Sequence, residues 1–393
     1  MTPISVLIKP ASGQCDMHCD YCFYCDEAVK RQRASYGFMS EETLKNVIRK
    51  CVIPAEGSCT IAFQGGEPTL CGLSFFQKAV EFSRHFNRKG IQINFALQTN
   101  GWGITEDWCR FFAEQHFLVG VSVDGTPWIH DRYRHGPGRT PTYARVVEAT
   151  RMLEQNHVEY NILTVVTRDV AENIREIYQS YQDKGWNYLQ FITCLDPLGE
   201  LRGQRPYALL PERYGQFLID LFDLWYTDYR RGRAPFIRQF ENYIGILLGG
   251  VPESCEQRGR CGIQYVVEAD GSVYPCDFYV LDQWKLGDLN VHRIAEIDAR
   301  RRSLGFCARS RNHPAECASC TWRALCRGGC YRSRSTGREG PAGLNYFCQG
   351  YKMFFEYAQE RLEKIAEELN AEMAPRRILR HDQGQSFSGP RRL

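Results

Sequence analysis

The chain has 393 residues, 43% of them hydrophobic, and its 49 lysines and arginines stand against 46 acidic residues for a net charge of +3. That length admits one large domain and a smaller one, and so small an excess of charge excludes a nucleic-acid-binding stripe. No apolar run is long enough to span a membrane, and residues 1–10 lack the basic start and long apolar stretch of a secretory signal. Eighteen cysteines on a chain without an export signal point to a reducing, cytoplasmic setting, where clustered thiols hold metal rather than form disulfides. The basic run at 300–302 reads as a solvated helix face.

The first half alternates two patterns. Apolar runs at 5–9, 60–64, 92–98, 118–123, 160–166 and 188–193 read as buried strands. Between them, 40–51, 73–87, 105–114, 143–155 and 171–184 have the length and amphipathicity of helices. Ser40 with Glu41 and Glu42 behind it is a helix N-terminal signal. This order predicts βαβ units on a parallel sheet, with the functional site at the carboxyl ends of the strands. Farther on, 212–231 and 236–248 read as helices, 255–348 is rich in Gly, Cys and Arg with little periodicity, and 353–372 is again helical. A segment such as 255–348 cannot bury a large core and is expected to fold around metal. The stretch after Ala374 reads as a disordered tail.

Just after the first strand, Cys15, Cys19 and Cys22 form a C-x3-C-x2-C loop. Three neighbouring thiolates can hold three irons of a [4Fe–4S] cube and leave the fourth open to a small molecule. A zinc knuckle with Cys25 as fourth ligand is the alternative reading. Polar tips close the next three strands: Gln64-Gly65-Gly66-Glu67-Pro68, Gln98-Thr99-Asn100-Gly101 and Ser122-Val123-Asp124-Gly125. In the C-terminal segment Cys255, Cys261 and Cys276 precede Cys317, Cys320, Cys326, Cys330 and Cys348. Eight thiols suffice for two fully ligated four-iron clusters, with structural zinc again the alternative. The other cysteines, among them Cys194 and Cys307, read as small apolar residues.

These motifs resemble a known family. The cysteine loop with its aromatic Tyr21, followed one βα unit later by Gly65-Gly66-Glu67-Pro68, is similar to the radical S-adenosylmethionine (SAM) superfamily. The eight later cysteines resemble its SPASM auxiliary-cluster extension. The sequences around Lys9, Phe23, Gln64 and Cys276 are similar to those of anaerobic sulfatase-maturating enzymes, over about residues 4–362. The resemblance implies an α/β fold, a partial (β/α)6 TIM-like barrel over 1–235, a SPASM domain with a C-terminal helix over 236–372, and a disordered tail over 373–393. It implies three [4Fe–4S] clusters and SAM as cofactors. Cys15, Cys19 and Cys22 would hold the first cluster, Cys255, Cys261, Cys276 and Cys330 the inner auxiliary one, and Cys317, Cys320, Cys326 and Cys348 the outer one. Tyr21, Gly65, Gly66, Glu67, Ser122, Arg134 and Leu195 would surround SAM, with Ser122 and Arg134 at its carboxylate and Leu195 near its adenine. Tyr24 and Gln64 would line a substrate pocket, and Asp277 would be the base.

The implied reaction is oxidation of a cysteine or serine in a sulfatase polypeptide to Cα-formylglycine, with flavodoxin or ferredoxin as electron donor. Two other readings compete. A peptide-crosslinking SPASM maturase would carry an N-terminal recognition domain, for which nothing before Cys15 leaves room. A non-catalytic iron–sulfur or zinc protein would not need the segment 64–68 or the polar strand tips.

Overall fold

The computed structural model describes residues 3–334 and 343–381. Its main sheet has ten strands: β1 Ile4–Ile8, β2 Ser58–Phe63, β3 Gln92–Thr99, β4 Phe117–Ser122, β5 Tyr160–Val166, β6 Tyr188–Thr193, β7 Phe236–Ile237, β8 Tyr265–Val267, β9 Ser272–Tyr274 and β10 Gly287–Asp288. Their order is β10-β9-β8-β1-β2-β3-β4-β5-β6-β7. Strands β1 to β6 lie side by side in chain order and pair in parallel. This is the barrel-type βα succession expected from the alternating pattern, and all six expected strands are present. Val6, Ile8, Ile61, Phe63, Val119 and Val121 are buried completely, as parallel strands covered by helices require.

The helices follow their sequence signals. Ser40 caps the helix Glu41–Val52, its side chain accepting a hydrogen bond from the Thr43 amide at 3.1 Å. Two expected elements differ. The single helix expected at 171–184 is two, Arg168–Glu172 and Ile174–Asp183. They break at Asn173, whose backbone leaves the helical region while its side chain donates to the Asp169 carbonyl; an asparagine that bonds its own backbone competes with the helix. The helix expected from 236 begins at Arg238, because Phe236 and Ile237 add a short strand to β6.

The cysteine-rich segment is not a separate body. Its strand β8 pairs in parallel with β1, and β9 and β10 follow it antiparallel. The last helix, Cys348–His381, packs against Pro211–Arg230. Gly215 and Gly350 meet there so closely that a Cβ on Gly350 would lie 2.3 Å from the Pro211 carbonyl. That helix continues past the tail boundary expected at 373, and residues 382–393 lie outside the described residues. Among the described residues no helix is long and apolar enough to cross a membrane.

Register puts three polar residues at one level. Ile8 pairs with Val267 on one side and Phe63 on the other. The next residues, Glu268, Lys9 and Gln64, therefore stand side by side at the carboxyl ends of β8, β1 and β2. Lys9 Nζ lies 2.9 Å from Glu268 Oε1, and Arg31 Nη1 reaches the same oxygen at 2.7 Å, all three side chains being buried. Burial works against the charge on Glu268, but the two cations outweigh it and hold the carboxyl below its ordinary range. Removing one partner of such a group leaves buried charge uncompensated. Glu268→Ala is expected to cost about 3–5 kcal/mol, read as a lower urea midpoint of the anaerobically purified protein; a loss below about 1 kcal/mol, as for an exposed pair, would show that the network does not hold the two segments together.

Candidate active site

The first cysteine loop rises from β1 and is held on three sides. The short strand His18–Cys19 pairs antiparallel with Arg134–His135, with Cys19 opposite Arg134. Asp124, fully buried at the β4 tip, accepts from Arg134 Nε at 2.9 Å and from the Tyr21 hydroxyl, while its other oxygen accepts from the Val165 amide at 2.8 Å. Asn100, at the β3 tip, donates to Asp16 at 2.7 Å and reaches Cys15 Sγ at 3.5 Å. Arg134 Nη1 lies 3.7 Å from Cys19 Sγ. Asp124 and Asn100 sat in the polar tips singled out from sequence, yet neither had a role there; both position the loop.

The glycines of the second motif serve the same loop. Gly65 and Gly66 have φ of 95° and 57°, conformations that a side chain disfavours. A Cβ on Gly66 would sit 2.1 Å from the carbonyl of Gln14, the residue before Cys15, and one on Gly65 would meet Lys9 at 2.7 Å. The Glu67 amide donates to that Gln14 carbonyl at 2.8 Å. The motif thus lies directly on the cysteine loop, and the close approach expected at a ligand is first an approach of backbone to backbone. The Glu67 carboxylate is fully used: it accepts from Thr69, Thr99 and the Asn100 amide at 2.7–3.0 Å. The Glu67 side chain is therefore not free for a ligand.

Of the other residues expected around SAM, Ser122 accepts from Gln98 at 3.1 Å, Arg134 lies against Asp124 and Cys19, and Tyr21 packs edge-on against Tyr133 and Tyr207. Leu195 is half-buried, two residues beyond the β6 tip. The strand ends that carry these residues open on the same side of the sheet as the cysteine loop.

Beside this group, Tyr24, Gln64 and Asp277 converge from three distant parts of the chain. The Tyr24 hydroxyl donates to Asp277 Oδ2 at 2.6 Å, and Gln64 Nε2 lies 2.7 Å from the Tyr24 oxygen and 3.1 Å from Asp277 Oδ2. Lys9 Nζ sits 4.7 Å over the Tyr24 ring. Asp277 Oδ1 is buried and has no hydrogen-bond partner. Burial raises the Asp277 carboxyl, with Lys9 and Tyr24 working in the opposite direction. Glu27, 3.9 Å from Lys9, is pushed by burial to about 8, so Lys9 does not secure its charge. Glu27 and Glu268 went unremarked in the sequence, and Lys9 was noted only as part of a family-like stretch. A buried charge at a strand end is visible only once the register is known.

The eight later cysteines separate into two groups. Cys276 is raised by burial and then by Cys330, Cys261 and Cys255, which identifies its neighbours. Cys326 is pushed by burial to about 12, with Cys348, Cys317 and Cys320 adding to the rise. Cys276 thus stands near Cys330, Cys261 and Cys255, and Cys326 near Cys348, Cys317 and Cys320. In the first loop, loss of hydration, helped by neighbouring carboxylates and thiols, pushes Cys15 and Cys19 to about 12, while a hydrogen bond with Cys25 pulls Cys22 down to about 6. Thiols raised in this way ionise readily only beside a compensating cation, which is what an iron–sulfur cluster provides. Donor chemistry and grouping thus fit one three-thiolate and two four-thiolate clusters.

Comparison with known proteins agrees. The chain matches the radical SAM superfamily over residues 10–181 and an iron–sulfur cluster-binding SPASM domain over 255–321. It is 44% identical over 366 residues to a cysteine-type anaerobic sulfatase-maturating enzyme of Clostridium perfringens, covering 93% of this chain and 99% of that one. To a serine-type enzyme of Bacteroides thetaiotaomicron it is 29% identical over 395 residues, covering 96% and 95%. It superposes with a TM-score of 0.90 on native anSMEcpe with bound AdoMet and Cp18Cys peptide, at 43% identity, covering 94% of this chain and 100% of that one.

The role of Gly66 can be isolated. Gly66→Ala is expected to weaken SAM binding by at least about tenfold, or 1.4 kcal/mol, in equilibrium dialysis against the reconstituted protein. Gly57→Ala, also at positive φ but with nothing within 4 Å, should bind SAM normally. Equal behaviour of the two would mean that backbone strain, not loop contact, is what Gly66 relieves. With its two cluster-binding domains, its site geometry and its near-full-length relatives in agreement, the chain belongs to the anaerobic sulfatase-maturating enzymes, a family of SPASM-containing radical SAM oxidoreductases.

Proposed function

We propose that the protein oxidises a cysteine in a sulfatase polypeptide to Cα-formylglycine, and that Asp277 is the base that takes the thiol proton. The observation that carries this reading is the Tyr24–Gln64–Asp277 group, with one carboxylate oxygen fixed by two donors and the other buried without a partner. A base must stand within hydrogen-bond reach of its proton, and Oδ1 is the acceptor left for a substrate. Cys15, Cys19 and Cys22 would hold the first cluster, leaving one iron for SAM. Gly65, Gly66 and Glu67 would present backbone to the SAM amino group, Ser122 and Arg134 would face its carboxylate, and Leu195 its adenine. With the cluster reduced, bound SAM would supply the radical that removes a hydrogen atom from the substrate Cβ.

The remaining work falls to the chain. Asp277 accepts one proton, Tyr24 and Gln64 keep its carboxylate oriented, and Lys9 supplies a nearby positive charge. The substrate also gives up one electron, for which Cys255, Cys261, Cys276 and Cys330 would hold a nearby acceptor cluster, followed by the outer one on Cys317, Cys320, Cys326 and Cys348. Water then replaces sulfur, releasing hydrogen sulfide and leaving the aldehyde. Cysteine is favoured over serine as target because identity is 44% to the cysteine-type relative and 29% to the serine-type one. A flavodoxin or ferredoxin would deliver the electron that starts each turnover.

Anaerobic incubation of the dithionite-reduced protein with SAM and a Cys-x-Pro-x-Arg peptide, followed by mass spectrometry, tests the reading. The expected product has lost hydrogen sulfide and gained one oxygen, and 5′-deoxyadenosine accumulates with it. Asp277→Asn should lower peptide oxidation by about 10²–10⁴-fold, the usual share of a general base, with SAM binding retained. An unchanged peptide beside normal 5′-deoxyadenosine would reassign the enzyme to another protein target.

A further inference from the structure

A second concave site lies away from the strand tips, on the cysteine-rich segment. A cavity of about 690 Å³ is bordered by Arg258, Arg260, Arg311, Arg323 and Arg327, and the thiol-bearing Cys261 lies in its wall. Among the described residues none of these five arginines pairs with a carboxylate. Of the acids nearby, Glu253 is engaged with Arg238, Asp298 with Arg301 and Tyr265, and Glu256 with Tyr351, which leaves Glu316 beside Cys317. Three of the five are tied down by backbone carbonyls, Arg258 to Pro252, Arg323 to Cys317 and Arg327 to Ala324, at 2.7–3.0 Å. The result is a net positive rim, partly anchored, on a chain whose total charge is only +3.

The form of the site selects its partner. Arg258, Arg260, Arg311 and Arg323 are exposed, and only Arg327 is half-buried. Guanidinium groups turned to solvent do not enclose a small anion; they meet an acidic surface, and their field steers it in. The cavity wall carries Cys261. An occupant is therefore brought against one of the thiolates that would hold the inner auxiliary cluster. We propose that this basic mouth is the docking site for an acidic one-electron carrier protein, which in its oxidised form removes the electron taken from the substrate. The inference rests on the proposed reaction only for the origin of that electron. The transfer balances: one electron leaves the protein, and a flavin carrier passes from quinone to semiquinone with one proton from water.

The test uses the cluster-loaded enzyme and oxidised flavodoxin, an acidic flavin protein. Affinity is measured by interferometry over a range of salt concentrations, and semiquinone formation by stopped flow after dithionite-free photoreduction. Arg260→Glu/Arg311→Glu is compared with wild type and with Arg260→Gln/Arg311→Gln; neither residue bonds elsewhere in the described chain, and iron and sulfide content checks the clusters. Expected is a loss of affinity and rate of at least about tenfold at low salt for the reversal, a smaller loss for the neutral pair, and convergence of all three at high salt, where exposed charges are screened. Dithionite-driven 5′-deoxyadenosine formation and peptide turnover should be unchanged, so failure of the peptide reaction itself would be seen separately in wild type. Binding that ignores both salt and charge reversal overturns the proposal. So does a reversal that leaves flavodoxin binding intact and instead raises KM for the peptide, which would assign the surface to the substrate chain.

Discussion

The parallel pairing of β1 with β8 is the constraint on which the site depends. It takes the first strand of the barrel and lays beside it a strand from the cysteine-rich segment more than 250 residues later, in a register that leaves Lys9 between Glu268 and Gln64. The ion pair from Lys9 to Glu268, reinforced by Arg31, sits at the end of that pairing. Its stability in a buried place comes from mutual compensation, since desolvation alone would disfavour every member. Eight residues beyond Glu268 the same hairpin delivers Cys276, and then Asp277. A slip of the register would move Asp277 away from Tyr24 and Gln64 and would turn each strand's buried residues outward.

This arrangement explains why the auxiliary segment is built into the sheet rather than tethered to it. The carboxylate of Asp277 has to meet a hydroxyl from the cysteine loop and an amide from the β2 tip within ordinary hydrogen-bond distances. A flexible linker would leave that meeting to chance, whereas a shared sheet and a returning helix fix both ends. The return is specific: Gly215 and Gly350 bring the last helix to within backbone contact of Pro211–Arg230, a distance no larger residue permits.

Much of this was legible in the sequence, for identifiable reasons. Strands β1 to β6 carry no charged residue and bury alternate side chains along most of their length, so they stood out as apolar runs, as did the helix begun by Ser40. Thiols at close spacing declared the clusters. What stayed hidden depended on tertiary neighbours. Asn173 breaks a helix while its side chain bonds the Asp169 carbonyl one turn back, a choice that periodicity does not report. The strand Phe236–Ile237 is too short to show a pattern and exists because β6 offers an edge. The interleaving of Cys330 with Cys255, Cys261 and Cys276 contradicts spacing and came only by resemblance; the thiols that act on Cys276 are those three. Asp124 lay in a polar strand tip and Lys9 in a family-like stretch, but nothing in the sequence showed which partners either would meet.

The buried carboxylates show how the fold distinguishes structure from chemistry with one functional group. Glu67 spends both oxygens on Thr69, Thr99 and Asn100, and Asp124 spends both on Tyr21, Arg134 and Val165. Glu268 is neutralised by two cations. These three are saturated and hold loops in place. Glu27 keeps an unpartnered oxygen, but burial pushes it to about 8, so near neutral pH it mostly carries a proton. Asp196 also keeps one, on the loop after β6, where Arg332 binds its carbonyl. Asp277 differs from both in its company: its second oxygen is fixed by a phenol and an amide beside the two SAM motifs, and Lys9 stands close behind. A lone pair left open in so constrained a place costs stability unless something arrives to use it, and the base role proposed for Asp277 would give it that use.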